Sequence, residues 1–255
     1  MRFIKERNFQ SLTNCFYKNY LIILILAFVS GLLDFYMIKN YFIFVTTQTG
    51  NLVYFGLSLL NGQLYQDGFV YTFHNSYLYL LPFIVILISS FVFHFIDKKS
   101  CSIWFIYFMF ALEIIYFVVW SIFANNIKLY IGNTNNINPV AILTIILVTI
   151  FISFHLTIFN QDKNVIYANV VSMGDIINAS RSLHDFFVTK NKNQLLVFFK
   201  YMFIIILFVI AILFSYLLDR FLNFKTLYLI PLFILLNLII LWINHFKTTR
   251  YYIEL

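Results

Sequence analysis

The chain has 255 residues, of which 62% are hydrophobic and only 11% charged, whereas a soluble domain carries about a quarter charged residues. That inventory excludes a soluble fold, a disordered chain, a disulfide-rich secreted scaffold and a collagen-like fibre, and it leaves room for six to eight membrane spans of about 20 residues each. The net charge of +7 would suggest nucleic acid as the partner of a soluble protein. Here the basic residues fill short gaps between apolar runs and act as topology signals, so the expected partners are the lipid bilayer and a small solute.

In chain order, Arg2, Lys5, Arg7 and Lys18 precede an apolar run without a small-x-small cleavage site, so 1–19 reads as a basic cytoplasmic segment before an uncleaved first span. Apolar runs long enough to cross lie at 20–38, 77–96, 103–124, 139–160, 195–218 and 226–246, giving six spans. Two further stretches, 49–62 and 174–188, have a helical pattern but are too short or too polar to cross alone. The class is therefore all-α: a polytopic helical membrane protein with six transmembrane helices and two short broken or re-entrant ones. Cys15 and Cys101 lie beside Lys-bearing stretches assigned to the cytoplasm, where thiols stay reduced, and they supply no disulfide or metal framework.

Basic residues test the topology. Arg2, Lys5, Arg7, Lys18, Lys98, Lys99, Lys163, Arg181, Lys190, Lys192, Lys247 and Arg250 fall on one side, against Lys39, Lys128, Arg220 and Lys225 on the other. This bias puts both termini in the cytoplasm of a cell whose inner membrane holds the chain.

The halves resemble each other at an offset of 124 residues, with 20–124 as the first repeat and 139–248 as the second within one membrane domain. Gly50 then aligns with Gly174 and Glu113 with Asn237. Three crossings per half would invert the second half relative to the first, the plan of many secondary transporters. Chance coincidence of apolar runs is the competing explanation.

After the first span, Gln48-Thr49-Gly50-Asn51 precedes a new apolar period. Glycine permits a backbone break, and Thr or Asn caps the first free amides of a helix. The pattern predicts either a broken helix whose positive dipole end lies inside the protein or a tight surface turn. Asp34 shares a helical face with Ala27 and Gly31, whose small size lets another helix approach; it either faces inward or reaches the interface. Glu113 has no charged neighbour between Ser102 and Ala124. It is either part of a proton relay or a structural carboxyl bonded through Tyr116 one turn away. His155 in the fourth span is either a core histidine or a proton carrier. The stretch 160–194 reads as an amphipathic helix on the inner leaflet or as the second half-helix of the repeat.

Gly31-Leu-Leu-Asp34 followed by Gln48-Thr49-Gly50-Asn51-Leu-Val and Gly56 resembles the amino-terminal signature of the YoaK family, bacterial six-span membrane proteins of unestablished function. The resemblance implies a six-span fold and a label of permease. It implies no substrate, and the second half offers only Gln161-Asp162 and Met173-Gly174-Asp175 where the family shows Gln-Asn and a second Thr-Gly.

No nucleophile elbow, zinc helix, Walker loop or Cys-x-x-Cys pair occurs, so neither an enzyme nor a cofactor is expected. The sequence points to a secondary transporter or permease for a small solute, with proton coupling as an option, and Gly31, Asp34, Gln48, Thr49, Gly50, Asn51, Glu113 and His155 on its pathway. The alternatives are a non-transporting interaction or lipid-handling protein and, behind that, a membrane-embedded enzyme.

Overall fold

The computed structural model describes residues 19–59, 63–66, 69–72, 77–98, 103–123, 138–159, 161–162, 165–166, 173–222 and 226–253. Among the described residues eight α-helices follow in order: α1 Tyr20–Tyr41, α2 Gln48–Leu59, α3 Tyr77–Lys98, α4 Ile103–Phe123, α5 Pro139–Ile158, α6 Met173–Thr189, α7 Lys192–Leu222 and α8 Leu229–Ile253, the last preceded by a 3-10 turn at Thr226–Tyr228. Six of them, all but α2 and α6, are long and apolar enough to cross a membrane. The amino-terminal basic segment, Cys15, Cys101, Lys128 and Lys163 lie outside the described residues.

Local chemistry explains the helix ends. Asn19 and Asn138 each cap a span, their side-chain oxygens accepting the amides of Leu21 (2.9 Å) and Val140 (3.0 Å), and Pro139 follows the second cap where its missing N–H costs nothing. Helix α1 stops at Phe42, which turns left-handed (φ 56) and donates its amide to Ile38. Two antiparallel hairpins depart from the helical expectation: β1 Gln63–Gln66 with β2 Phe69–Thr72, and β3 Gln161–Asp162 with β4 Val165–Ile166. The first lies between the expected helical stretches 49–62 and 77–96, and the second takes the start of the 160–194 stretch expected to be helical, so that helix begins only at Met173.

Helices α1 and α7 run parallel at a constant spacing of 180 residues: the Tyr20 hydroxyl donates to the Lys200 carbonyl (2.7 Å), and Lys39 pairs with Asp219 (2.5 Å) at the other end. Between them Gly31 lies against the Phe208 carbonyl and Ala211. Helix α7, at about 46 Å from 31 residues, is longer than the hydrocarbon layer and supports α6 along its first half.

The packing partners exchange between the halves. Helix α1 packs on α7 as α5 packs on α3, and α2 packs on α3 as α6 packs on α7, while α4 meets its own counterpart α8 and α1 touches α5. The offset is not uniform: the capping asparagines of α1 and α5 are 119 apart, Asn19 to Asn138, whereas Gly50 and Asn51 match Gly174 and Asp175 at 124. The hairpins fall at inequivalent places. One further departure concerns α4: α1 packs closely on α8, but between the equivalent pair, α5 and α4, large side chains hold the backbones apart.

Candidate functional site

Non-helical backbone inside a membrane protein needs partners for its amides and carbonyls. The link 42–47 between α1 and α2 is such a segment, with Ile43, Val45 and Thr46 buried. Asp34, on the last turns of α1, supplies the acceptors. Its Oδ1 receives the amides of Val45 and Thr46 (3.0 Å each), and its Oδ2 receives the hydroxyls of Thr46 and Thr47. Asn51 closes the other side. Its carbonyl oxygen accepts the Phe44 amide (2.9 Å) and its amide nitrogen donates to the Phe44 carbonyl and to Gln48 Oε1, while Gln48 donates to the Val45 carbonyl. Asp34 is 1% exposed and Asn51 0%. Of the two readings of Asp34, inward or interfacial, the structure has the inward one, with the carboxylate spent on the loop.

Three sequence expectations change here. Asn51 does not cap α2; it ties down the loop before it. The left-handed residue of the break is Phe42, and Gly50 is required for a different reason: a Cβ there would lie 2.6 Å from the Phe44 ring. Thr49 is exposed and makes none of the described side-chain hydrogen bonds of this cluster. Gly31 belongs to the α1–α7 contact, where a Cβ would meet the Phe208 carbonyl oxygen at 2.6 Å.

Glu113 and His155 come together elsewhere. Glu113 on α4 and His155 on α5 are 42 residues apart, and Glu113 Oε2 lies 2.9 Å from His155 Nε2, with the side chains 0% and 1% exposed. The partner is thus the histidine and not Tyr116. Phe110 stacks on the imidazole (centroids 5.8 Å, 30°), and Phe154 and Phe159 complete an aromatic wall. No described hydrogen bond joins this pair to the Asp34 cluster, so the expected site divides: Asp34, Gln48 and Asn51 hold the loop, Glu113 and His155 form a separate pair, and Gly31 lies in the α1–α7 contact.

The clusters differ in how complete they are. Asp34 has four donors on two oxygens; Glu113 Oε1 and His155 Nδ1 are buried with no hydrogen-bond partner among the described residues, and so are both amide atoms of Asn237 on α8. A buried polar atom left open costs on the order of 1–3 kcal/mol, and such gaps concentrate where a protein handles a proton, ion or ligand. Asn237 was visible in the sequence only as the repeat mate of Glu113, which gave no reason to place it in a site. Chemically, such a pair can share one proton in either of two forms, carboxylic acid with neutral imidazole or carboxylate with imidazolium. Among the described residues, no three His, Cys, Asp or Glu side chains converge to hold a metal.

Two grooves flank α4. One, of about 570 Å³, lies between α4 and α8 and runs from Ile103 and Phe246 to Ala111 and Leu238. The other, of about 450 Å³, lies between α4 and α5 and runs from Phe123 and Val140 to Tyr116 and Leu147.

A family model described as a protein of unknown function, DUF1275, matches residues 22–241. No curated protein and no solved structure matches the chain. The match runs from the first turn of α1 to the middle of α8 and includes both clusters, and the chain belongs to that family.

Proposed function

We propose that this DUF1275 protein is a permease or secondary transporter for a small solute in the inner membrane, with both termini in the cytoplasm and a proton carried by Glu113 and His155. The observation that carries this reading is the contrast between the two buried acids. Asp34 has its acceptor capacity filled by the loop it holds, so it belongs to the fold. Glu113 and His155 bridge α4 and α5 by one contact, and each keeps one buried atom with no partner among the described residues. A carboxyl retained at that depth at a cost of about 2.5–3.5 kcal/mol is explained by a proton that moves.

The exchange of packing partners between halves supports the inverted-repeat plan, in which half-helices such as α2 and α6 begin within the protein. The resemblance to the YoaK family adds only the label of permease. The lipid-handling alternative draws on one observation, the two apolar grooves open to the side of the bundle; it requires that lipid occupy them without solute flux.

The test is transport by purified protein in vesicles with a trapped pH-sensitive dye, challenged with a panel of small solutes. A solute that moves protons through the wild type, and moves none through Glu113→Gln inserted and folded to the same level, supports the reading. Uptake by the Gln variant against a gradient, with unchanged pH dependence, removes Glu113 from the mechanism.

A further inference from the structure

The two grooves approach Glu113 from opposite ends of the same helix. The α4–α8 groove stops at Ala111 and Leu238, two residues before Glu113 and one after Asn237. The α4–α5 groove stops at Tyr116 and Leu147, three residues beyond Glu113. Along α4, residues 112–115 separate the two linings, and Glu113 among them is fully buried and bonded to His155.

The linings are apolar and aromatic. Trp104, Tyr107 and Trp242 line the first groove and Tyr116 and Trp120 the second. Both are open sideways, so what enters comes from among the lipid chains and has an apolar body. Its charge follows from Glu113, a buried acid with one oxygen that has no hydrogen-bond partner among the described residues and with a histidine as its described ion-pair partner. Aromatic faces attract cations, and a cation out of water needs a counter-charge.

We infer that the cargo is a lipophilic cation, bound between these grooves against Glu113 in exchange for a proton. This rests on the transporter reading and names its substrate class. The charges balance: the empty pair, with one shared proton, is neutral; the cation enters as that proton leaves, giving carboxylate, neutral imidazole and bound cation, again neutral. Binding therefore strengthens as pH rises, about tenfold per pH unit for one proton exchanged. Among the described titratable groups of α4 and the elements near it, His155 on α5 meets Glu113 directly, while Tyr107 and Tyr116 lie on α4, Tyr36 and Tyr41 on α1 against Trp120, Tyr228 in the turn before α8 and His245 at the far end of the α4–α8 groove.

All three tryptophans of the chain, Trp104, Trp120 and Trp242, line the grooves, so intrinsic fluorescence reports on them directly. The experiment titrates purified protein in nanodiscs with tetraphenylphosphonium and, in parallel, with neutral triphenylphosphine oxide. The wild type is expected to bind the cation saturably, with Kd falling about tenfold per pH unit and one proton released, as counted by calorimetry in two buffers. Glu113→Gln should bind the cation at least tenfold more weakly and without pH dependence; Glu113→Asp, which keeps the carboxylate, should retain the pH dependence and guards against a folding defect in the Gln variant. Equal affinity for the cation and the neutral probe, or for the cation in wild type and Glu113→Gln, overturns the cation assignment. If the cation does not bind but Glu113→Gln still abolishes proton-coupled uptake of another solute, the substrate class fails and the transporter reading stands.

Discussion

Adding one methyl group at Gly31 tests the bundle where it is tightest. A Cβ there would lie 2.6 Å from the Phe208 carbonyl oxygen and 2.8 Å from the Ala211 Cβ, where ordinary contact begins at 3.4 Å. Gly31→Ala must therefore push α1 from α7 by roughly 0.6–0.8 Å over the turn concerned, and overpacking of this kind costs about 1–3 kcal/mol. The obstructing carbonyl is backbone and cannot rotate away. Gly56→Ala is the control, because nothing lies within 4 Å of a Cβ there and replacing an unneeded glycine inside a helix gains about 0.5–1 kcal/mol. That gain is common to both helical sites, so the two variants should differ by the overpacking cost of about 1–3 kcal/mol in equilibrium unfolding in mixed micelles, with Gly56→Ala the more stable. Adding Ala211→Gly to Gly31→Ala relieves the 2.8 Å contact but not the carbonyl, so partial recovery is expected. Equal stability of the two single variants would refute the close α1–α7 approach.

Asp34→Ala strands the amides of Val45 and Thr46 in a buried loop, and at about 1–3 kcal/mol per lost partner the protein should lose about 2–6 kcal/mol in the same assay; an unchanged midpoint would mean the loop finds other partners. Gly50→Val should destabilise because the side chain meets the Phe44 ring, and Phe44→Ala in the same chain should restore much of the loss, whereas a strained backbone at Gly50 would give no rescue. For topology, cysteine labelling of intact cells should modify a cysteine introduced at Asp67 in a chain lacking the native pair and should spare native Cys101; the reverse pattern inverts the orientation.

The helices were legible because crossing a membrane imposes a length. The expected 77–96, 103–124 and 139–160 became Tyr77–Lys98, Ile103–Phe123 and Pro139–Ile158, and the short stretches at 49–62 and 174–188 became Gln48–Leu59 and Met173–Thr189. Apolar run length sets those ends to within a few residues. What joins the elements was not legible in the same way. Nothing near Asp34 says that 42–47 folds back over it, since its donors are two backbone amides and two common hydroxyls. Glu113 and His155 were each singled out, but their contact depends on how α4 and α5 lie side by side. The break at Gly50 was found for the wrong reason, because a glycine excluded by a ring and a glycine needing unusual dihedrals look alike in sequence. The grooves were hidden by abundance: with 33 Phe and 18 Tyr, no aromatic cluster stands out until the helices are placed.

The claim that Glu113 and His155 move a proton is tested most directly by infrared spectroscopy of the protein in lipid, with wild type compared against Glu113→Gln. A mobile proton gives a carboxyl band assignable to Glu113 by its loss in the variant, shifting within minutes of transfer to heavy water and changing with pH together with the imidazole bands. A Glu113 band that neither exchanges nor titrates while the protein remains folded would make the pair a fixed structural contact and contradict the proposed function.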